Sequence, residues 1–212
     1  MFTKTLLPAA LRAIQLAATN SVVKDAYLAG GTALALQIGH RISLDLDFFT
    51  FHEFNVKELN TSLSQLPEFT SEQTSKWTVL GKLNTTKFSF FYYKYPLISE
   101  TITFEGIQLA SLSDIAAMKI NALESRGTRR DFIDVYLLAK QFSLDEMLKF
   151  YDQKYGTLEN NFYSIIRSLN YFDDAEKESE MPKMLIPISW DEVKTFFEDQ
   201  VKRLAKSKLG IT

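Results

Sequence analysis

The spacing of apolar residues changes several times along the first half of the chain. Leu7, Leu11, Ile14 and Ala18 recur at helical spacing and predict an amphipathic helix over residues 5–18. Later segments are short, rich in aromatic and β-branched residues, and bounded by turn residues, which is typical of strands. Strands are predicted over residues 27–29, 43–49, 77–83, 87–93 and 101–109, the last three antiparallel, and helices over residues 32–38 and 55–66.

From Ser111 onward the pattern becomes helical. Three Ser-x-x-acid sequences have the spacing of a capping box, in which a serine and an acidic side chain cap the first turn of a helix. They are Ser111 to Asp114, Ser143 to Glu146 and Ser189 to Glu192. The polar stretch 173–183 predicts a loop before the last helix. We therefore expect an α+β protein, with a mixed core over residues 1–110 and a helical part over residues 111–212 packed on that core.

The composition limits the kinds of metal site and catalytic nucleophile that the chain can contain. The 212 residues include no cysteine and only two histidines, which excludes disulfides, thiolate zinc sites, a cysteine nucleophile and a multi-histidine metal site. A bound cation must therefore be held by oxygen atoms, which favours Mg²⁺ or Mn²⁺. The net charge of −2 does not mark a nucleic-acid binder, although a local basic patch remains open. No apolar run approaches the length of a membrane span, so we expect a cytoplasmic protein that does not engage a membrane.

An acid pair is the first candidate for chemistry. Asp45 and Asp47 lie in a predicted strand, so their side chains point to one face while Leu46 points to the other. Two like charges on one face repel each other unless a divalent cation lies between them. An Asp-x-Asp sequence alone is more often part of a surface loop, and the glycine pair upstream is what favours a functional interpretation here.

That glycine pair is Gly30-Gly31, followed by Thr32 at the start of a predicted helix. A helix N-terminus offers backbone N–H groups that have no acceptor within the helix, and glycine lets a phosphate approach them closely. The Thr32 hydroxyl can cap the helix or bind a phosphate oxygen. The alternative interpretation is a tight turn from strand to helix without a ligand.

A lysine lies within a predicted apolar helix face. On a helical wheel, Lys119 falls among Leu112, Ile115, Ala116, Ile120 and Leu123. A lysine in such a stripe needs a partner for its ammonium, and a nucleotide triphosphate is one candidate. In the alternative interpretation, its stem passes the core and the charge reaches solvent.

The segment 126–134 combines arginines with two aspartates. Arg126, Arg129 and Arg130 surround a glycine turn, and guanidinium groups match the geometry of phosphates. Asp131 falls in the first turn of the next helix, where a capping or salt-bridge role is equally open, and Asp134 lies beside the apolar face of that helix. In the first half, His40 and Arg41 precede the acid strand and are candidates to contact a base or phosphate.

These residues resemble a known family. Residues 28–36 and 39–49, with residues 114–119 and 126–134 in the same order, are similar to the AbiEii/AbiGii toxin family of nucleotidyltransferases. The resemblance implies a polymerase-β-like nucleotidyltransferase core, with a small mixed sheet flanked by helices, followed by a helical C-terminal part. It also implies transfer of a nucleoside monophosphate from an NTP with release of pyrophosphate, an acceptor such as tRNA, and an antitoxin protein as partner.

The resemblance also assigns roles to residues. The catalytic set is Asp45, Asp47, Lys119 and Asp134, with Asp45 and Asp47 as ligands of Mg²⁺ or Mn²⁺. The nucleotide-binding set contains Gly30, Gly31 and Thr32 from the resemblance. To these we add Arg41, Arg126, Arg130 and Asp131 from the residue patterns described above.

One departure from the family pattern concerns the third carboxylate. Polymerase-β-like enzymes commonly carry it on a later strand, whereas residues 86–92 contain no acid. Either Asp134 or Asp131 completes the site, or metal binding is weakened, or the acceptor differs, or the enzyme is degraded. The alternative functions are therefore a non-catalytic nucleotide- or protein-binding module of the same fold, and a nucleotidyltransferase that modifies a small molecule.

Overall fold

A computed structural model describes residues 1–178 and 180–209 of the chain. The chain divides into two compact units, Met1–Ser111 and the described residues from Leu112 onward. The N-terminal unit holds a mixed sheet and the C-terminal unit is helical, so the α+β fold class is confirmed.

The N-terminal unit contains four α-helices and seven strands within its residues, all of which the structure describes. The helices are α1 (Pro8–Ala17), α2 (Ser21–Lys24), α3 (Gly30–Ile38) and α4 (Val56–Leu63), preceded by a 3₁₀ turn at Thr3–Thr5. The strands are β1 (Tyr27–Leu28), β2 (Asp45–Thr50), β3 (Phe69–Ser75), β4 (Thr78–Leu83), β5 (Thr86–Tyr92), β6 (Ile102–Phe104) and β7 (Ile107–Leu109).

The seven strands form one mixed sheet in the order β3-β4-β5-β2-β1-β7-β6. Strand β2 pairs in parallel with β5 and antiparallel with β1, and β1 pairs in parallel with β7. The remaining neighbours are antiparallel. The strand that carries the acid pair therefore lies in the interior of the sheet, where partners on both sides fix its register.

The alternation of β2 separates a core face from an open face. Leu46, Phe48 and Thr50 are buried, whereas the residues between them are partly exposed. Phe48 packs on Phe88 of β5 with ring centroids 5.4 Å apart, and helices α1 and α3 contact β2. Burial of these large apolar side chains is the main force that holds the helices on the sheet.

Two parts of the sheet differ from the prediction. Residues 101–109 form a hairpin of β6 and β7 instead of one strand, because Glu105 and Gly106 adopt positive φ angles of 47° and 83° and reverse the chain. Strand β3 was not predicted, because all its residues except Phe69 are exposed and no hydrophobic alternation marks it. At the sheet edge, backbone pairing with β4 is sufficient to form this polar strand.

The C-terminal unit consists of helices, of which the structure describes six. They are α5 (Leu112–Ser125), α6 (Arg129–Leu138), α7 (Leu144–Tyr155), α8 (Leu158–Ser168), α9 (Asp173–Glu176) and α10 (Trp190–Leu209). Helix α5 contacts α6, α7 and α8. Phe132 of α6 lies in the core of the unit, with its ring 5.0 Å from that of Phe197 of α10.

The predicted capping boxes are realised to different degrees. At α7, Ser143 and Glu146 form the complete reciprocal pair. At α10, the Glu192 N–H donates to the Ser189 hydroxyl at 3.1 Å, but the Glu192 carboxylate accepts from Tyr136 instead.

At the third predicted box, Asp114 is fully buried in α5 and pairs with Lys154 of α7 at 2.8 Å. The predicted loop 173–183 contains the short helix α9, and Ser179 within it lies outside the described residues. No helix in the described part of the chain is long and apolar enough to cross a membrane.

Candidate active site

The turn from β1 into α3 places two glycines against two other candidate side chains. Gly30 has a φ of +66°, and a Cβ atom on it would lie 3.2 Å from Asp47 Oδ2. A Cβ atom on Gly31 would lie 2.2 Å from a guanidinium nitrogen of Arg41, which is closer than real contacts allow. The glycine pair therefore brings an aspartate and an arginine to the N-terminus of α3.

The acid pair lies on the open face of β2. Asp45 and Asp47 are both partly exposed and alternate with buried Leu46 and Phe48, as the strand pattern predicted. In the parallel register with β5, Asp45 lies opposite Lys87 and Asp47 opposite Ser89. Partner residues on adjacent strands share a face, so a lysine and a serine neighbour the acid pair.

Sequence reasoning did not find these two β5 neighbours, because their placement depends on a register that only the folded sheet defines. Strand β5 carries no acid, so the departure from the family pattern noted above holds in the structure. Ser43 was also missed, and its hydroxyl lies 2.9 Å from that of Thr32.

Thr32 connects α3 to the acid strand. Its side chain is buried, and its hydroxyl donates to the backbone carbonyl of Asp45 at 2.5 Å. The N-cap residue of α3 is Ala29, and no side chain caps the helix, so the capping alternative for Thr32 is not realised. The hydroxyl instead holds the first residue of β2 against the first turn of α3.

A second group of candidate residues lies in the C-terminal unit. Lys119 of α5 is 5% exposed, so its ammonium does not reach solvent along the surface. Its Nζ lies 2.9 Å from Asp131 Oδ1 and 2.6 Å from Asp134 Oδ2, both on α6. The lysine on the apolar stripe is therefore held by two buried carboxylates.

Asp131 receives further donors. Arg126 binds its two oxygens through Nε at 2.8 Å and Nη2 at 3.1 Å, and the Thr128 hydroxyl donates to Oδ2 at 2.6 Å. The Asp131 backbone N–H donates to Thr128 Oγ1 at 3.3 Å, which caps α6. Of the two open interpretations of Asp131, the salt bridge is realised, whereas the side chain that caps α6 is that of Thr128.

The pKa of Asp131 follows from these contacts. Burial would raise it, but the nearby ammonium of Lys119 and the hydrogen bonds from Arg126 and Thr128 lower it well below the usual range of an aspartate. Asp131 is therefore a carboxylate throughout the physiological pH range.

The arginines of the segment differ in their surroundings. The Arg126 side chain is 64% exposed although its guanidinium holds the buried Asp131. Arg129 lies over the ring of Trp190, with its guanidinium carbon 5.1 Å from the ring centroid, and its Nε donates to the carbonyl of Ala175. Arg130 is exposed near the start of α6.

The predicted site residues thus form two groups, one within each unit. The N-terminal group contains Gly30, Gly31, Thr32, Arg41, Asp45 and Asp47, and the C-terminal group contains Lys119, Arg126, Arg130, Asp131 and Asp134. Among the described residues, no three His, Cys, Asp or Glu side chains cluster so that they could hold a metal ion. A cation at the acid pair would have two carboxylates from the protein.

Comparisons with known proteins agree with this fold. The family model for the nucleotidyl transferase AbiEii toxin of type IV toxin–antitoxin systems matches residues 16–105 and 93–204. The chain therefore belongs to the AbiEii family of nucleotidyltransferase toxins.

A relative in sequence is an uncharacterized protein of Aquifex aeolicus (strain VF5). It is 38% identical over 196 residues, which cover 90% of this chain and 93% of the relative.

Solved structures share the fold at lower identity. MenT4, a nucleotidyltransferase toxin from Mycobacterium tuberculosis H37Rv, is 15% identical with a TM-score of 0.56, and the match covers 92% of this chain and 85% of that chain. JHP933 from Helicobacter pylori is 20% identical with a TM-score of 0.51, and the match covers 97% of each chain. The polymerase-β-like nucleotidyltransferase fold is thereby confirmed.

Proposed function

We propose that this chain is an Mg²⁺- or Mn²⁺-dependent enzyme that transfers a nucleoside monophosphate from an NTP to an acceptor and releases pyrophosphate. One observation carries the proposal, which is that Asp45 and Asp47 share the open face of β2 with the Asp47 carboxylate against Gly30 at the start of α3. Carboxylates and a helix N-terminus are the groups that bind a cation and a phosphate.

The donor set fits the proposed cation. Asp45 and Asp47 supply oxygen ligands only, and Mg²⁺ commonly takes one or two protein carboxylates and completes its shell with water and substrate phosphates. When bound, the cation would neutralise phosphate charge and favour attack by the acceptor oxygen. The absence of a larger acidic cluster in the described residues suits this kind of site.

The start of α3 is the proposed phosphate site. The first N–H groups of a helix have no intrahelical acceptor, and the missing side chains at Gly30 and Gly31 let the Asp47 carboxylate and the Arg41 guanidinium approach this helix start closely. The guanidinium of Arg41 lies against Gly31 and adds positive charge at this place. Thr32 contributes by holding the carbonyl of Asp45, and its direct contact with a phosphate stays a prediction.

In the C-terminal unit, we assign different roles to the two aspartates that hold Lys119. Asp131 accepts hydrogen bonds from Lys119, Arg126 and Thr128, which uses most of the acceptor capacity of its carboxylate. We therefore assign Asp131 to positioning Lys119 and Arg126, and Asp134 to the catalytic acid. Arg126 and Arg130, whose side chains are exposed, are the proposed contacts for the charged phosphates, and the buried Lys119 is assigned to the catalytic set through its ion pair with Asp134.

The biological role that we propose follows from the family. A toxin of a toxin–antitoxin pair acts on a cellular component until its antitoxin protein neutralises it. We propose tRNA as the acceptor, with a terminal hydroxyl as the attacking group. The proposal treats the chain as a cytoplasmic protein, where NTPs and tRNA are available.

The experiment is a transfer assay with each α-³²P-labelled NTP, Mg²⁺ and total tRNA. We expect label in the RNA fraction with at least one NTP, and no label when EDTA replaces Mg²⁺. Asp45→Asn and Asp47→Asn should each abolish transfer, while Asp25→Asn, at an exposed position after α2, should not. Absence of transfer from every NTP, or equal transfer by Asp45→Asn, would contradict the proposal.

The same assay separates the alternatives. Calorimetric binding of an NTP without transfer to any acceptor would indicate a binding module. Label that moves to a small molecule in a cell extract depleted of RNA would indicate a small-molecule nucleotidyltransferase. Thermal unfolding of each variant shows whether a loss of activity reflects a loss of fold.

A further inference from the structure

The C-terminal unit contains a cleft that shares Arg126 with the residues assigned to the transfer reaction but contains none of the proposed catalytic residues. It has a volume of about 350 Å³ and opens between the end of α5, helix α8 and the segment that leads into α9. Its polar and aromatic lining includes Arg126, Tyr163, Ser164, Arg167 and Tyr171. A volume of this size is typical of small-ligand sites.

One face of α8 supplies most of this lining. Tyr163 and Arg167 lie one helical turn apart, and Ser164 lies beside them on the same side. The opposite side of the helix is apolar and buried, as Ile165 and Leu169 show. Buried residues hold α8 in place, so the lining side chains project from a fixed helix.

Two tyrosines are unusually accessible for aromatic side chains. Tyr163 is 71% exposed and Tyr171 is 45% exposed, and both line the cleft. Exposure of the apolar faces of an aromatic ring to water is unfavourable. A second planar group that stacks on the ring covers one face and makes this exposure smaller. The bases of an unpaired nucleic-acid strand are such groups.

One arginine of the cleft is available to bind an anion, because the acids in the lining have other partners. Within the described residues, the side chain of Arg167 has no ion pair or hydrogen bond. The two acids in the lining are engaged: Glu124 accepts from Tyr151 at 3.1 Å and from Ser164 at 2.5 Å, and Asp174 pairs with Lys177 at 2.7 Å. Arg126 is held in place by Asp131 and adds a second guanidinium to the same cleft.

We propose that this tyrosine–arginine cleft binds single-stranded nucleic acid. A base stacks on Tyr163 or Tyr171, and a neighbouring backbone phosphate meets Arg167 and Arg126. An unpaired strand is required because the bases of a duplex are already stacked on each other. The binding needs neither NTP nor a cation, so it can be measured independently of the transfer reaction proposed above.

The test is a binding titration with the full chain and a fluorescein-labelled ten-nucleotide single-stranded RNA of mixed sequence. Fluorescence anisotropy is recorded at low salt in EDTA. Tyr163→Ala, Tyr171→Ala and Arg167→Ala should each weaken binding about fivefold or more, as loss of a stacking ring or a phosphate contact does in other single-strand binders. The controls are Phe51→Ala, an exposed aromatic in the N-terminal unit, and Lys206→Ala, an exposed cation on α10, and neither should change the affinity.

Several results would overturn the cleft proposal. They are unchanged RNA affinity of the Tyr163→Ala/Arg167→Ala double variant, equal affinity for a ten-base-pair RNA duplex, and competition by AMP at the same molar concentration as the RNA. Melting temperatures of the variants confirm that each is folded, and all three tyrosine and arginine positions are at the surface.

Asp45→Asn separates the two proposals. It should lose transfer but keep the RNA affinity, because the acid pair is not part of the cleft. Loss of RNA affinity in this variant would overturn the cleft proposal. Absence of transfer by the unmodified chain, with RNA binding intact, would overturn the proposed function alone.

Discussion

Lys119 Nζ lies 2.6 Å from Asp134 Oδ2, and the two side chains are 6% and 0% exposed. An ammonium and a carboxylate are both expensive to bury, and each is tolerated here because the other is present. Asp131, at 2.9 Å from the same Nζ, adds a second negative charge, and Arg126 balances it. These four side chains therefore form one electrically balanced cluster.

Removal of the lysine from this cluster should lower the free energy of unfolding strongly. Lys119→Met keeps much of the side-chain volume but leaves two buried carboxylates with one cation fewer. We expect the free energy of unfolding, measured by urea denaturation, to fall by about 3–5 kcal/mol. Lys177→Met removes a partner from the exposed pair with Asp174 and should leave the stability nearly unchanged. Similar losses of unfolding free energy in the two variants would show that burial of the ion pair does not determine the loss of stability.

The second buried ion pair tests whether the loss of stability on removing one charge depends on the presence of the other. Lys154 and Asp114 are both fully buried, with Nζ 2.8 Å from Oδ1. Lys154→Met alone should destabilise the chain by about 3–5 kcal/mol, because it removes the ammonium that faces the buried Asp114 carboxylate. The double variant Lys154→Met/Asp114→Leu should recover a large part of this loss. The measurement is a double-mutant cycle in urea, and additive losses would contradict the pairing argument.

Acid should weaken the fold partly through Asp131. The folded-state pKa of Asp131 lies below its unfolded value of about 3.9, so the unfolded chain takes up a proton that the folded chain does not. Its contribution to stability is therefore present above pH 4 and is lost as the pH falls below that value. Asp131→Asn should show a shallower fall of unfolding free energy between pH 5 and pH 3, and the exposed-site control Asp25→Asn should not. An unchanged slope in Asp131→Asn would contradict the assignment.

The two glycines should respond differently to alanine. Gly30→Ala places a side chain at a φ of +66°, which costs about 1–2 kcal/mol of stability. Gly31 has no such backbone strain, but its new methyl group would displace the guanidinium of Arg41. Gly31→Ala should therefore lose NTP affinity with a smaller change in melting temperature than Gly30→Ala. Calorimetry and thermal unfolding give the two readouts, and normal NTP affinity in Gly31→Ala would exclude a phosphate role for Arg41.

Local sequence was sufficient to predict some parts of the fold and insufficient to predict others. The alternation of Asp45 to Phe48 and the glycine turn depend on neighbours in the chain, and both were predictable. The helical wheel placed Lys119 on the apolar stripe but left open whether its charge reaches solvent. Its two carboxylate partners were not predictable, because their approach depends on how α5 packs on α6. The polar strand β3 gave no hydrophobic signal because it lies at the edge of the sheet.

The hairpin of β6 and β7 is a second element that local sequence did not predict. Residues 101–109 contain enough β-branched and aromatic residues for one strand, and the reversal at Glu105 and Gly106 lacks the Asn-Gly or Asp-Gly sequence that marks most tight hairpins. For the candidate site, the residues on the glycine turn and the acid strand could be named from the sequence. The neighbours Lys87 and Ser89 could not, because strand pairing across more than thirty residues of chain places them there.

The strand order has a consequence for biosynthesis. Strand β1 pairs with β7 through Tyr27 and Gln108, so the two partners are separated by most of the N-terminal unit. A ribosome adds about 5–20 residues each second, and the sheet cannot close until β7 has left the exit tunnel. The nascent chain therefore carries its acid pair in an unfinished sheet for several seconds. During that interval, hydrophobic strands β4 and β5 depend on their own hairpin to avoid association with other chains.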